Sequence, residues 1–421
     1  MMKKIVLLGA GAQGAPGASV LARLEIAEEI VLADGNEELL DRVCAKIASP
    51  RITPRVVNAA DVENLTEVFR GADAVINLIN PMFNQCVMRA CLAAHAHYVD
   101  TSIGETMDLD LTASDNTISR LLLGKELPFS REFKEAGLSC VIGCGSSPGL
   151  TNIVGRYLCD KLDTVDSVKF SFGRRSLVPE NPDTPWAPTW APARALWGYS
   201  VKPYVYKDGA FEEMPRYSGY EEVSFHDPVG SIPLTYHHHP EQFSFPYFYD
   251  KPLSYCDFKF HIDPKVRTFI AAGLAEPATR VNIGGQDVCP RDVLVRLAKQ
   301  PVGGFFIENE ETLSKPLTAL CGAGAEVVGT KDRRKVWCKA TFSPTFYNTA
   351  EERVGLLKRF GASNIYVSFP AIVGAILCTE GNAETGVIGA ECLDPYLFFQ
   401  KMAELGLPLP LHETVYTMPV F

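Results

Sequence analysis

Positive charge is scarce in this chain. Forty Lys and Arg stand against fifty Asp and Glu in 421 residues, a formal net charge of −10. Binders of nucleic acid or anionic membranes need clustered positive charge, so the balance argues against both. Long hydrophobic runs are also missing. The best candidate, residues 365–378, contains Ser368 and Pro370 and reads as a buried helix start rather than a span of ~20 apolar residues. At the N-terminus, only Ile5–Leu8 is apolar before Gly9; a secretory h-region needs ~7–15 such residues, so a cytoplasmic protein is expected. No C-x-x-C occurs among the twelve cysteines, whose tightest spacings are Cys140/Cys144 and Cys86/Cys91. That excludes a disulfide scaffold and a zinc site of ordinary spacing, and leaves buried thiols in a reducing compartment. There is no internal repeat and no low-complexity tract. His237-His238-His239 superficially suggests a metal site, but on a strand neighbouring side chains point to opposite faces, so only His237 and His239 converge; no metal is expected.

The length suggests two or three domains at ~100–200 residues each. Residues 3–8 form a short apolar run ending in glycine, which fits a buried parallel strand. Helical spacing then alternates with short apolar runs: a helix from Gly14, a strand at 30–33, a helix over 37–47, a strand at 55–58, a helix at 64–69, a strand at 72–79, a helix at 84–94, and strands at 97–99 and 139–143. Such alternation with short links predicts a doubly wound parallel sheet of the Rossmann kind. A polar stretch at 105–135 interrupts it and reads as short inserted helices. From about Val165 the texture changes. Residues 186–260 hold 19 of the 42 aromatics, with prolines between them and strand-like alternation. This predicts a second, mixed α+β domain.

Gly9-Ala10-Gly11-Ala12-Gln13-Gly14 is a G-x-G-x-x-G run that follows a strand, opens a helix and precedes Asp34 by 20 residues. That context is what a dinucleotide fingerprint requires: glycines for the turn, for close approach to a pyrophosphate and for helix–strand packing, and an acid for the ribose diol. Asp34 can also cap the following helix. It is followed by Gly35 and Asn36 rather than by a cation, which favours NAD while leaving NADP possible, with Arg42 as the cation that could reverse the choice. Asn80-Pro81 and Asp100-Thr101-Ser102 end strands at the carboxyl edge of the sheet, where ligands bind; each could equally be a cap or turn. Cys144 and Gly145 belong to a glycine-rich run, 143–149, after the sixth strand.

The chain resembles the saccharopine dehydrogenase family, of the glutamate-forming reductase type with its carboxynorspermidine synthase and lysine dehydrogenase relatives. The residues that carry this are GAGAQG, LADGNEE, VINLINPMFNQCVMRACLAAHAHYVDTS, GCGSSPGLTNIVGRYL, HDPVG with HHHPE, VCPRDVL and SFPAIVGAIL, in order along nearly the whole chain. Residues 174–200, SFPAIV and HHHPEQFSFP depart from the pattern, and all three would face the substrate. The resemblance implies a Rossmann domain over 1–150, a mixed substrate and dimerisation domain over 151–365, and a segment 366–421 returning to the Rossmann domain. It implies NAD(P)-dependent hydride transfer at a C–N bond of a small amino-acid-derived substrate, by imine reduction or amine oxidation. Alternatives are an NAD-linked lysine or diamine dehydrogenase and a catalytically silent cofactor-binding scaffold.

The expected cofactor residues are Gly9, Gly11, Ala12, Gln13, Gly14, Asp34, Asp61, Asn80, Pro81, Asp100, Thr101, Ser102 and Gly145. Asp100 and His239 are the acid–base candidates. Cys144, Arg174, Arg175, Arg194 and Trp197 are expected to meet the substrate, the arginines by forking onto its carboxylates. One large interdomain cleft should hold them. The aromatic excess of 186–260 is expected to form a homodimer contact.

Overall fold

The computed structural model describes residues 2–103, 125–179, 186–188, 191–298, 301 and 303–417. Seven strands form the first sheet: β1 (Met2–Leu8), β2 (Ala27–Asp34), β3 (Ile52–Val56), β4 (Ala74–Asn77), β5 (His97–Asp100), β6 (Ser139–Ile142) and, from much later in the chain, β17 (Gly386–Gly389). Their order is β17-β6-β5-β4-β1-β2-β3 and every pairing is parallel. This is the doubly wound sheet expected from the alternating pattern, with the order reversing beside β1, where the glycine loop begins. β3 begins three residues before its predicted start. Ile52 and Thr53 favour extended backbone, and Pro54 is tolerated because β3 is the edge strand. Of the interrupting stretch, only its end lies within the described residues: a short 3₁₀ turn at Leu127–Phe129 and a helix at Ser130–Glu135.

The second sheet holds β7 (Thr164–Ser176), β8 (Tyr204–Lys207), β9 (Ala210–Glu213), β10 (Glu221–Ser224), β11 (Ser231–Tyr236), β12 (Tyr255–Phe260), β15 (Ala319–Lys331), β16 (Arg334–Phe342) and β18 (His412–Thr417). Its main path runs β10-β11-β12-β7-β15-β16-β18; β8 attaches to β12 and carries β9, while β13 (Val281–Ile283) and β14 (Gln286–Val288) form a separate hairpin. Only β7–β12 is parallel, so the sheet is mixed, as the aromatic-rich texture suggested. One expectation is corrected. β17 does return to the nucleotide sheet, but β18 pairs with β16 in the second sheet, so 366–421 is split between the two. The six alternating residues of β18 carry no buried run, which is why the pattern did not mark them as a strand.

The sheets share one continuous apolar core, built through the helices Leu150–Cys159 and Ser368–Thr379. Phe170 of β7 lies against Gly155, where a β-carbon would stand 2.6 Å from its ring, and meets Phe245 at 5.3 Å between centroids. Gly17 likewise lets the helix Gly14–Leu24 approach Ser368. Among the described residues, no helix is long and apolar enough to cross a membrane.

Five carboxyls are buried in this frame, and four of them stand above their ordinary range. Loss of water raises Asp100 to about 7, Glu126 to about 8, Asp257 to about 6 and Glu391 to about 7. In the unfolded chain such groups ionise near ~4. Between those limits the native state binds more protons, so stability falls as pH rises. The buried, neutral His237, whose pKa burial drives well down, acts in the opposite sense at acid pH. We therefore expect the Tm of the wild-type protein to fall relative to that of Glu391→Gln as pH rises from 5 to 8; calorimetric scans showing the same pH dependence in both proteins would refute the assignment.

Candidate active site

The nucleotide end is built first by the backbone. Gly9 sits at φ +106°, and a β-carbon on Gly14 would stand 1.7 Å from the Gly9 carbonyl oxygen. Both must be glycine for the strand to turn into the helix Gly14–Leu24. A β-carbon on Gly11 would meet nothing within 4 Å, so this face of the turn is open. At the start of the helix Ala15 N and Gly17 N donate to the carbonyls of Gly11 and Gln13, each at 3.0 Å, and Pro16 has no N–H. Gln13 Oε1 is buried beside it, without a hydrogen-bond partner among the described residues. The open glycine turn leaves room for the close backbone approach that a dinucleotide pyrophosphate needs.

Asp34 closes the cradle. Its Oδ2 accepts from Ala10 N at 2.7 Å and its Oδ1 from Asn36 N at 2.9 Å. The helix cap is Asn36 instead, accepting from Leu39 N at 3.0 Å, which leaves Asp34 to the glycine loop. Glu37 and Glu38 follow in the first helical turn. Arg42 is turned away, its guanidinium 4.3 Å from the Phe306 ring centroid. The rim where a ribose would lie is therefore acidic.

Asp100 does not face a ligand. It is 1% exposed, and its oxygens accept from Gly143 N (2.7 Å), Tyr98 Oη (2.8 Å), Ser102 N (3.2 Å) and Asn84 Nδ2 (3.2 Å). Asn84 also donates to Glu126 and accepts from Asn77. This buried network ties the end of β5 to the turn after β6, so Asp100 positions both loops rather than exchanging protons with substrate. Thr101 then abuts Gly145, where a β-carbon would meet it at 3.2 Å. Sequence spacing showed Asp100 at the right edge but not which way it points; Asn84 and Glu126 carried no separate signal.

The loop 143–149 meets the second domain through one carboxylate that the sequence reading did not select. Glu241, fully buried, accepts from Ser147 Oγ (2.5 Å), Thr151 Oγ1 (2.7 Å) and His239 Nδ1. Burial pushes this carboxyl up, but His239 and the two hydroxyls outweigh it and hold the group below the usual range. The His239 ring stacks on Phe258 at 4.2 Å and 13°, with its side chain 22% exposed. Thus His239 is brought to the carboxyl edge of the nucleotide sheet. The signal for Glu241 was present in the run His237–Glu241, since a Glu two residues after a candidate His can reach its ring nitrogen.

The remaining expectations divide. Arg174 is exposed; strand alternation puts it on the same face as Phe170 and Phe172, and β12 pairs Phe258 with Phe170 and Phe260 with Phe172. Arg175 points to the other face, where it donates to the carbonyls of Val229 (3.0 Å) and Pro228 (3.4 Å), so it is structural. Arg194 lies 5.6 Å from the Trp197 ring, and Trp197 is itself buried against His238. Cys144 is fully buried, its thiol facing Pro370 O at 3.5 Å beneath Gly374, because the tight turn after β6 directs it into the core. Asp61 caps the helix Val62–Phe69 through Asn64 N, and Asn80 caps the 3₁₀ turn that starts at Pro81 through Met82 N. Two hollows of about 370 and 460 Å³ lie away from this edge, at the helix C-termini near Glu25 and Ala48 and beside the 331–334 hairpin.

Comparison with known proteins agrees with this geometry. Residues 5–141 match the family described as the saccharopine dehydrogenase NADP binding domain. The chain is an NAD(P)-binding oxidoreductase that is similar to this family over residues 5–141. It is 25% identical to a carboxyaminopropylagmatine dehydrogenase from Synechocystis over 98% of both chains. It is also 25% identical to a carboxynorspermidine synthase from Vibrio alginolyticus, over 89% of this chain and 86% of that one. Its fold matches apo saccharopine dehydrogenase (L-Glu forming) from Saccharomyces cerevisiae with a TM-score of 0.67 at 13% identity, covering 98% of this chain and all of that one.

The acidic rim makes a testable demand on cofactor choice. A 2′-phosphate beside Asp34, Glu37 and Glu38 would meet like charge, so we expect NADH to bind this chain at least ~tenfold tighter than NADPH, about 1.4 kcal/mol. Fluorescence titration of both cofactors checks it, and Asp34→Ser should narrow the gap. Equal affinities in the wild-type protein would contradict the reading.

Proposed function

We propose that this protein interconverts an imine and a secondary amine in a small, carboxylate-bearing, amino-acid-derived substrate, with NAD(H) as the preferred cofactor. The observation that carries the reading is the Ser147–Glu241–His239 junction, which sets an imidazole of the second domain at the edge where dinucleotide sites lie. The nicotinamide, when bound, supplies or accepts the hydride. His239 handles the proton. Its Nδ1 is committed to Glu241, so Nε2 is the nitrogen left to take a proton from an amine or return it. Stacking on Phe258 holds the ring plane.

Arg174 is the carboxylate anchor in this proposal. From Phe170 to Arg174 is four residues, or about 13 Å of extended strand at ~3.3 Å each. The intervening face is aromatic, with Phe172 stacked on Phe260 at 5.3 Å and Tyr199 6.0 Å from Phe260. Rings favour an alkylammonium chain, and an arginine fork favours a carboxylate. The relatives' names denote carboxylated polyamines, and a product of that chemistry suits the strip. The twelve thiols are free, which suits a cytoplasmic location. We also propose a homodimer.

NADH oxidation followed with a panel of amines paired with oxo acids tests the reaction; turnover only with a 2-hydroxy acid or an alcohol would sink it. His239→Asn should lower kcat by ~10²–10⁴, the usual worth of a positioned acid–base group. Arg174→Gln should raise KM for the carboxylate substrate with a small change in kcat, whereas Arg175→Gln should lower Tm and leave KM alone.

A further inference from the structure

Glu241 is not the only acid in its cluster. A second buried carboxyl, Glu391, reaches the same place from the nucleotide domain and takes no part in the chemistry described above. It sits in the 3₁₀ turn Ala390–Cys392 that follows β17, and it is 2% exposed. Its side chain folds back over Gly389, where a β-carbon would stand 2.4 Å from Glu391 Oε2 and 2.7 Å from the Phe248 ring. The Gly389 backbone is ordinary and extended (φ −77°), so this glycine makes room for the carboxyl rather than for a turn.

Two helices join the acids. Glu241 and Ser244 lie three residues apart on the helix Glu241–Phe248, and so on one face of it. They meet Thr151 and Asn152, consecutive residues of the helix Leu150–Cys159. Thr151 Oγ1 donates to Glu241 at 2.7 Å, and Asn152 Nδ2 donates to Ser244 Oγ at 3.2 Å. Asn152 Oδ1 accepts from Gly149 N at 3.0 Å, which leaves its amide nitrogen to Ser244. Ser244 and Asn152 in turn face the Glu391 carboxyl. All five side chains are buried.

Donors are divided unequally between the two acids. Glu241 has Ser147, Thr151 and His239, whereas Glu391 Oε1 has no hydrogen-bond partner among the described residues. Two carboxylates in one dry cluster repel each other, so the less well served one holds a proton. Burial accordingly raises Glu391 to about 7 although Ser244 and Asn152 draw it down, and the Glu241 charge adds to the rise. The neighbouring groups leave this balance to Glu241, Glu391 and His239. Arg156 reaches only the Glu391 carbonyl oxygen, at 3.3 Å, and is paired with Asp160 at 2.7 Å. The thiols of Cys144, Cys256 and Cys392 feel the Glu391 charge, and burial keeps them protonated. His237, whose ring lies 6.1 Å from that of His239, is kept neutral by burial.

We propose that Glu391 is a positioning residue for proton transfer, a second acid whose charge, felt across the Asn152–Ser244 bridge, holds a proton on His239. This rests on the reading of His239 as the acid–base group. No proton crosses the bridge; the coupling is electrostatic, and a low local dielectric strengthens it. Ionised Glu391 favours the imidazolium, and protonated Glu391 favours the neutral ring. The basicity of the group that meets the substrate nitrogen is thus set from the far side of the cluster, by a residue of the nucleotide domain.

A titration of the full chain without cofactor or substrate tests this, so its outcome is separate from whether the protein turns over an imine. The Cε1–Hε1 resonance of His239, identified by its loss in His239→Asn, is followed by NMR from pH 5 to 9. Glu391→Gln should lower the His239 pKa by at least about half a unit, a ~threefold weaker hold on the proton. Glu391→Asp should return part of that shift. Ser244→Ala keeps both acids and removes a donor from Glu391, so it should move the His239 pKa in the same direction as Glu391→Gln, and it serves in its place if the glutamine variant does not fold. A His239 pKa that stays unchanged in these variants would overturn the proposal and leave Glu391 a packing residue.

Discussion

A carboxylate without water survives in a protein only where donors replace its hydration. Glu241 meets that condition by drawing on both domains. Its donors come from the loop after β6, from the helix that follows it, and from the imidazole two residues upstream. The geometry of the site depends on this group: it fixes His239 in place and tautomer and binds the second domain to the carboxyl edge of the nucleotide sheet. Beneath it, Asp100 does related work within the first domain, where four donors lock the turns that end β5 and β6. Two buried acids therefore set the loops, and neither has an oxygen aimed at a ligand.

The nucleotide half of the fold was legible because its physics is local. A parallel strand covered on both faces is a continuous apolar run, a covering helix repeats every 3.6 residues, and the glycine turn admits few sequences. The second domain was legible only as a change of texture, because its sheet is assembled from strands distant in sequence. β7 pairs with β12 on one side and β15 on the other. No period in the sequence announces those partners, and the exposed β18 has no buried face to mark it. Of the proposed site, the glycine loop and Asp34 are suggested by spacing alone, and His239 by residue type.

The direction of side chains was not legible. Arg174 and Arg175 are neighbours in sequence and indistinguishable by composition, yet one lies on the aromatic face of the sheet and the other holds the 228–229 carbonyls. Cys144 sits in the right loop and points the wrong way. Position along a motif identifies the loop; strand parity and turn geometry decide whether the side chain reaches a ligand. The same parity argument joins Arg174 to Phe258 and His239 across two strands, and gives the proposed site its length.

The central claim is that His239, held by Glu241, is the group that meets the reacting nitrogen. A crystal structure of the ternary complex with NADH and the secondary-amine product tests it most directly. The account predicts His239 Nε2 within hydrogen-bonding distance of the substrate nitrogen, the product carboxylate on Arg174, and Asp100 still enclosed by its four donors. A nitrogen contacting another titratable side chain, with His239 turned away from it, would contradict the account.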